Sequence, residues 1–146
     1  MKYTIKQASK ITELPASTLR YYESEGLLPE IKRNGNGHRY YDESNLKWIA
    51  LITCLKNTNM PIELIKIFVA LHNEGDKTIN KRLEIVLEHR ENVQKKIDEL
   101  INYMKYINYK VDYYTLACDL GSEEKLKNNK YPKPLFVEDG EDTPSK

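Results

Sequence analysis

The sequence of 146 residues is short of cysteine and of long apolar runs, and each shortage excludes a class of protein. Neither Cys54 nor Cys118 has a cysteine or histidine partner at zinc-site spacing, so we expect no metal and no cofactor. No stretch approaches the roughly 20 consecutive apolar residues that span a bilayer, and the N-terminus lacks the apolar run of a secretory signal. We therefore expect a folded, cytoplasmic protein with no membrane partner.

The usual arrangements of catalytic side chains are also missing. No Ser-His-Asp set, carboxylate pair or glycine-rich phosphate loop is suitably placed. Glu23 and Glu25 lie two positions apart on a predicted helix and so face different directions. We predict a protein without enzymatic activity.

Charge is nearly balanced over the whole chain, with a formal net charge of +1, but it is unevenly distributed. Residues 1–71 contain ten Lys/Arg and seven Asp/Glu, residues 72–118 contain eight of each, and residues 119–146 contain five and seven. A mildly basic head, a neutral middle and an acidic tail favour a head that meets an anion such as nucleic acid.

Two short helices are predicted near the N-terminus. Thr4 and Gln7 form a capping-box pattern ahead of a helix over about 5–12, with Ile5, Ala8 and Ile11 on one face. A proline then separates it from a second helix over about 16–25, which ends before a glycine. Two helices of this length joined by a turn of three or four residues are typical of a helix-turn-helix.

A β-hairpin is predicted between Leu27 and Asp42. Two Asn-Gly pairs, which favour tight hairpin turns, occupy residues 34–37 between two polar and aromatic stretches. In a winged helix-turn-helix this hairpin is the wing, and here it carries Lys32, Arg33, Arg39, Tyr40 and Tyr41.

Two further helices and one long helix follow. Asp42 or Ser44 can cap a helix over about 44–57, and Pro61 begins another that reaches about Leu71. From residue 79 to 114 apolar residues alternate at spacings of four and three, which is a sustained heptad repeat of roughly 54 Å. The repeat positions that we predict to form a dimer interface are Leu83, Val86, Arg90, Val93, Ile97, Leu100, Met104, Ile107 and Val111.

Such a helix cannot bury its apolar stripe against a head of about 70 residues alone, so we expect a second copy of the chain to cover it. Arg90 is the one polar member, and we expect it to help fix the register of the coiled coil.

The residues after Gly121 are polar and acidic, and only the apolar cluster of residues 135–137 suggests a docking segment. The predicted divisions are a DNA-binding domain (1–71), a linker loop (72–78), a coiled-coil dimerisation helix (79–118) and a flexible tail (119–146).

An ordered set of strings carries a family resemblance. TLRYYESEGLL, then NGNGHRYY, then the helix pair joined at Met60 and Pro61, then the heptad helix, resemble the MerR family of transcription regulators over about residues 3–118. The resemblance implies a mostly α fold with a winged helix-turn-helix head and a long antiparallel dimerisation coiled coil. It also implies a homodimer on a pseudo-palindromic, double-stranded promoter. Members commonly distort that DNA so that RNA polymerase engages it, and so act on polymerase indirectly through the promoter.

Residue by residue, the resemblance implies DNA contacts from the second helix and from the wing. Arg20 would reach a phosphate or a base edge and Tyr21 a phosphate, while Tyr22 and Tyr41 are expected to pack in the core. The full set of expected DNA contacts is Ser17, Thr18, Arg20, Tyr21, Lys32, Arg33 and Arg39. The sequence departs from the family pattern at Glu13, where glycine is usual, and at Pro15, where a serine cap is common.

The cysteine pattern does not resemble that of the metal-sensing or iron–sulfur members. The segment from Trp48 to Pro61 is similar to the thiol-based, aldehyde- and electrophile-responsive subgroup, often called NmlR or AdhR, whose responsive cysteine falls at Cys54. On a helical wheel Cys54 lies outside the apolar arc of its helix and two turns from Lys47, which suits thiolate chemistry. Silent packing of Cys54 remains an alternative.

Two other functions remain open at this stage. A small hydrophobic ligand could be sensed near Phe68, Tyr103, Tyr106 and Tyr109. A coiled-coil adaptor would explain the heptads, although it would not explain the Asn-Gly wing or the Arg-Tyr-Tyr-Glu helix.

Overall fold

The computed structural model describes residues 1–128 and divides the chain into two compact units, Met1–Val93 and Gln94–Lys146. In chain order the elements are β1 (Tyr3–Thr4), α1 (Ile5–Thr12), α2 (Ala16–Ser24), β2 (Tyr40–Tyr41), α3 (Glu43–Asn57), α4 (Ile62–Asn73), a 3₁₀ turn (Asp76–Thr78), α5 (Ile79–Leu120) and α6 (Glu123–Asn128). The mostly α fold with a small wing and a long C-terminal helix is as predicted. We refer to the first unit as the head.

Local sequence signals explain where α1 and α3 begin. The hydroxyl of Thr4 accepts from the backbone N–H of Gln7 at 3.3 Å, and the Gln7 side chain accepts from the Thr4 N–H at 2.8 Å. Asp42 and Asn45 repeat this reciprocal pairing at 2.9 Å in both directions. These capping boxes satisfy N–H groups that the first turn of a helix leaves unpaired, and the first confirms the predicted start of α1.

The turn between α1 and α2 adopts its shape despite two unfavourable residues. Glu13 has a φ of 57°, a left-handed conformation in which glycine is more comfortable. Pro15 is the N-cap of α2 and offers no side-chain hydrogen bond, although its carbonyl accepts from the Thr18 N–H at 2.9 Å. Both family departures are therefore tolerated within the helix-turn-helix geometry.

The wing is completed by a strand that the sequence does not predict. β1 pairs antiparallel with β2, with Tyr3 opposite Tyr41 and Thr4 opposite Tyr40. The hairpin itself closes at a bridge between Arg33 and Arg39. A strand of two residues is too short to show an alternating pattern, so nothing in the sequence marks β1.

One apolar core holds the head together. Trp48 lies at its edge and donates its indole N–H to the Leu27 carbonyl at 3.2 Å. Ile11 departs from the expected apolar face, because it is exposed in the last turn of α1. The largest fully buried side chains are those of Tyr41, Leu19, Leu27, Ile49, Ile52 and Ile65.

The first turns of α5 belong to the head. Ile85 packs against the core, and His89 Nε2 lies 2.7 Å from the hydroxyl of Thr58, beyond the end of α3. The expected linker loop over 72–78 is largely helical, because α4 continues to Asn73 and a 3₁₀ turn occupies Asp76–Thr78. The compact unit therefore extends past the predicted boundary at residue 71.

In the second unit, α6 folds against the end of α5. Gly121 has a φ of 69°, and its N–H bonds to the Cys118 carbonyl at 3.0 Å, which ends α5 with a glycine cap. Leu126 of α6 and Ala117 are both buried. The first part of the expected flexible tail is thus helical, while the apolar cluster over 135–137 lies outside the described residues.

Candidate nucleic-acid interface

Helix α2 has one face in the core and a polar face in solvent. Leu19 and Tyr22 are buried, whereas Ser17, Arg20 and Tyr21 are exposed and Thr18 is half-buried. Tyr22 therefore packs in the core as predicted. The exposed set combines hydroxyl, phenol and guanidinium donors, which are the groups that proteins use to contact phosphates and base edges.

A lysine of α3 contacts the tyrosine pair of α2. The ammonium of Lys56 lies 5.1 Å from the ring centre of Tyr21 and 5.0 Å from that of Tyr22. A cation over an aromatic face is attracted by the ring quadrupole. Lys56 thus restricts the ring of Tyr21 while leaving its side chain partly exposed.

The wing turn is ordered by one asparagine. The Asn34 side chain accepts from the N–H groups of Asn36 at 3.1 Å and His38 at 2.9 Å, and its carbonyl accepts from the Gly37 N–H at 2.9 Å. Gly37 has a φ of 76°, which a residue with a side chain adopts at a cost. The turn leaves Lys32 exposed beside the hairpin.

The two wing arginines differ from Lys32 because both meet a carboxylate of α2. Arg39 Nε donates to Glu23 Oε2 at 2.5 Å, and Arg33 Nη2 lies 3.8 Å from Glu23 Oε1. The hydrogen bond to Glu23 raises the pKa of the Arg39 guanidinium above its usual value, partly offset by burial. Arg33 also donates to the Gly37 carbonyl at 3.1 Å.

Tyr41 lies at the base of the wing and is fully buried, as predicted. Its hydroxyl has no hydrogen-bond partner among the described residues. Burial raises the pKa of Tyr41 above its usual value, because desolvation disfavours the charged phenolate, and the nearby Glu23 charge acts in the same direction. The charges of Arg39, Arg20 and Arg33 oppose this rise without cancelling it.

Cys54 is exposed on α3, as the helical wheel predicts. It lies in an open groove of about 570 Å³ between α1 and α3, which Lys47, Thr53 and the exposed Ile11 also line. The carbonyl of Cys54 accepts a hydrogen bond from the Thr58 hydroxyl at 2.8 Å. A small molecule in this groove would meet both a thiol and an apolar wall.

The junction between the head core and α5 contains contacts that the sequence does not reveal. Trp48 stacks on Phe68 at 6.0 Å and tilts against His72 at 4.2 Å between ring centres. Arg82 reaches back with Nε 3.2 Å from the hydroxyl of the buried Thr78 and Nη1 3.4 Å from His72 Nδ1. Of these pairs only Thr78 and Arg82 have a helical spacing, so a sequence pattern could suggest that contact alone.

The residues predicted for dimerisation lie along α5. In the head, Leu83 and Arg90 are exposed and Val86 and Val93 are half-buried. In the second unit, the stripe is exposed at Ile97, Leu100, Met104, Ile107 and Val111. Among the described residues, no other element fully buries any of these side chains.

The aromatic residues considered for a ligand site divide between the units. Phe68 is buried in the head, whereas Tyr103 is exposed in the second unit. Tyr106 and Tyr109 stack at 6.2 Å, and Lys110 lies 5.9 and 5.8 Å from their ring centres. The ammonium of Lys110 thus lies beside both rings of this pair.

Residues 1–128 contain neither a candidate metal site nor a candidate membrane-spanning helix. No group of three or more His, Cys, Asp or Glu side chains is placed to hold a metal ion there. Among the helices of the same range, none is long and apolar enough to cross a membrane.

Comparisons with known proteins agree with the geometry of the head. The family described as MerR HTH family regulatory protein matches residues 3–71. A Haemophilus influenzae protein described as an uncharacterized HTH-type transcriptional regulator is 37% identical over 133 residues, which cover 91% of this chain and 98% of that one. The Bacillus subtilis HTH-type transcriptional regulator AdhR is 42% identical over 87 residues, which cover 60% of this chain and 62% of AdhR.

A solved structure extends the likeness to the long helix. The crystal structure of HiNmlR, described as a MerR family regulator lacking the sensor domain and bound to promoter DNA, superposes with a TM-score of 0.80. It is 38% identical and covers 86% of this chain and 99% of its own. These relatives are transcription regulators, which agrees with the prediction of a non-enzymatic protein and argues against a coiled-coil adaptor. The chain belongs to the MerR family of DNA-binding transcription regulators.

Proposed function

We propose that the chain acts as a homodimer that binds a pseudo-palindromic promoter and controls transcription by distorting the DNA. The observation that carries this proposal is the exposed heptad stripe of α5, whose apolar side chains require a second helix. Two copies related by a two-fold axis would present two α2 helices to two half-sites. RNA polymerase would then respond to the altered promoter, so the protein would act on the polymerase indirectly, through the DNA.

The proposed DNA contacts are the predicted residues of α2 and Lys32 of the wing, whereas Arg33 and Arg39, for which contacts were also predicted, meet the carboxylate of Glu23. Exposure of Ser17, Arg20 and Tyr21 on one face supports groove and phosphate contacts by α2. Exposure of Lys32 supports a phosphate contact by the wing. Bending a promoter of 20–30 base pairs costs about 1–6 kcal/mol, which contacts of this kind would have to supply.

We further propose that Cys54 senses aldehydes, other electrophiles or oxidants as part of a stress response. Its exposure, and the apolar groove beside it, support access by a small electrophile. Addition of the thiolate to an aldehyde forms a carbon–sulfur bond, moves the carbonyl electron pair to oxygen, and takes a proton from water there. The product is a hemithioacetal that occupies the groove between α1 and α3.

A short hydrogen-bonded connection supports transmission of such a change to α5. The Thr58 hydroxyl bonds to the Cys54 carbonyl at 2.8 Å and lies 2.7 Å from His89 Nε2. A bulky adduct on Cys54 that moves the end of α3 would therefore disturb the contact with the helix that carries the dimer stripe. That change would shift the heads between two arrangements on the promoter.

The proposal is tested by transcription in vitro from the promoter next to this gene, with and without aldehyde. The proteins are wild type, Cys54→Ala and, as the matched control, Cys118→Ala, which removes the other exposed cysteine. We expect all three to protect the same DNA and only Cys54→Ala to lose the response. If Cys54→Ala responds like wild type, the thiol hypothesis is wrong and a small hydrophobic ligand becomes the alternative signal.

A further inference from the structure

Glu23 connects the last turn of α2 to both sides of the wing. Its two carboxylate oxygens face Arg39 at 2.5 Å and Arg33 at 3.8 Å, and these arginines are bridge partners across the hairpin. The Glu23 side chain is only 24% exposed, so the pair is partly shielded from solvent. A partly buried, charge-assisted bond between two elements restricts their relative position.

The exposed cations of the interface are in a different situation. Neither Arg20 nor Lys32 forms an ion pair with a carboxylate in the part of the chain that the structure describes. These two side chains have donors to offer a phosphate. In contrast, the Arg39 guanidinium already has a carboxylate partner, and Arg33 divides its donors between Glu23 and the Gly37 carbonyl.

We propose that Glu23 is a positioning residue that sets the specificity of DNA recognition. It fixes the position of the wing relative to α2. It also neutralises positive charge on the wing that would otherwise bind the phosphates of DNA of any sequence. Arg39 then acts mainly through Glu23 and not as a phosphate contact. This inference rests on the proposed DNA contacts of α2 and the wing.

The expected signature separates affinity from specificity. In Glu23→Gln the wing arginines lose their counter-charge, so binding to non-promoter DNA strengthens and the slope of log K against log salt steepens by about 1. Binding to the promoter weakens because the wing loses its charged hydrogen bond, and the ratio of promoter to non-promoter affinity falls about tenfold. A residue that serves only the stability of the fold would change neither the slope nor this ratio.

The experiment measures binding of the full chain to promoter and to scrambled DNA over a range of salt. Glu30→Gln is the matched control, because it removes one carboxylate from an exposed position just before the wing, and among the described residues Glu30 forms no ion pair with Arg33 or Arg39. We expect Glu30→Gln to retain the specificity ratio of wild type. Arg39→Gln is expected to lower the ratio while leaving the salt slope within about 0.3 of wild type, because it removes no phosphate contact.

Arg39→Lys keeps the charge and loses the fixed guanidinium geometry, so it provides a second variant if Glu23→Gln does not fold. We expect Arg39→Lys to lower the ratio with an unchanged slope. The proposal is overturned if Glu23→Gln behaves like Glu30→Gln, or if Arg39→Gln flattens the slope by about 0.9, the value for one lost phosphate contact. Failure of the proposed function looks different, because wild type itself would then not prefer the promoter.

Discussion

The head and the second unit differ in the exposure of their apolar side chains. The head buries Tyr41, Leu19 and Ile52 completely within one chain. In the second unit the α5 stripe from Ile97 to Tyr114 is between 45% and 57% exposed at each position. The same physical requirement, removal of apolar surface from water, is met inside the chain in the first case and, in the dimer that we propose, by another chain in the second.

A charge within the exposed stripe of α5 is expected to have the largest effect, because we propose that this stripe is the dimer interface. Leu100→Asp places a charge at the centre of the stripe in both copies of the proposed dimer. We expect the dimer dissociation constant to rise about a thousandfold, from a loss of about 4 kcal/mol over two sites. Sedimentation equilibrium measures this, with Asn102→Asp on another side of α5 as the control. An unchanged dimer in Leu100→Asp would contradict the assignment.

The second prediction compares equivalent truncations in the two units. Ile52→Ala leaves a cavity in the head and is expected to lower the free energy of unfolding by about 3 kcal/mol. Ile107→Ala, made in the monomeric Leu100→Asp background, is expected to cost less than about 0.5 kcal/mol because that side chain is already exposed. Urea unfolding followed by circular dichroism provides both values. Equal losses would show that the second unit buries its stripe within the chain.

The third prediction concerns two tyrosines whose pKa values are raised by unequal surroundings. Tyr41 is fully buried, so its folded-state pKa lies above the unfolded value of about 10. Its contribution to stability is therefore complete below pH 10 and is lost as the pH rises beyond that value, where the unfolded chain ionises first. Tyr41→Phe should reduce this alkaline loss and, by removing an unpaired buried hydroxyl, raise the free energy of unfolding by up to about 1 kcal/mol.

Tyr113 provides the control for that experiment in the second unit. Its pKa is also raised, first by desolvation and then by the charge of Glu123, but the side chain is half-buried whereas that of Tyr41 is fully buried. Urea unfolding at pH 8 and above pH 10 should show a smaller change for Tyr113→Phe than for Tyr41→Phe. A larger change for Tyr113→Phe would mean that burial of the phenol is not the dominant cause.

The smallest expected effect concerns the left-handed backbone of the head at Glu13. Glu13→Gly relieves a left-handed backbone and is expected to raise the free energy of unfolding by about 0.5 kcal/mol after the extra entropy of glycine in the unfolded chain. Asn59, with a φ of 64°, is the matched control, because asparagine tolerates this conformation and Asn59→Gly should not stabilise. Thermal melts distinguish the two. A destabilised Glu13→Gly would mean that the Glu13 side chain makes a compensating contribution.

Much of the architecture followed from short-range patterns. The capping box of Thr4 and Gln7, the glycine that ends α2 and the heptad repeat of α5 all depend on residues a few positions apart, so the sequence displays them directly. The exposure of Cys54 followed from helical periodicity in the same way. The predicted DNA contacts came from the family resemblance, and their roles stay predictions.

Other features depend on residues that are distant in the chain. β1 forms because Tyr3 and Thr4 pair with β2, which lies 36 to 38 positions later in the chain. A strand of two residues is too short for the sequence pattern to predict this pairing. The contact of Trp48 with His72, and that of Thr58 with His89, likewise arise from packing between helices. These pairings decide how α3 and α4 join the start of α5, and periodicity carries no information about them.

By itself, the sequence indicated helices α1 to α5, the cap of α1, the wing turn and the apolar stripe of α5, because each is encoded by neighbouring residues or by a repeat. Only the tertiary structure decided that Arg33 and Arg39 meet Glu23. In the sequence these are three charged residues at separate positions, whereas the fold brings their side chains together. The free energy of a charge depends on what lies within a few ångströms of it. For that reason the wing arginines, which look alike in the sequence to Lys32, have a different physical role in the folded head.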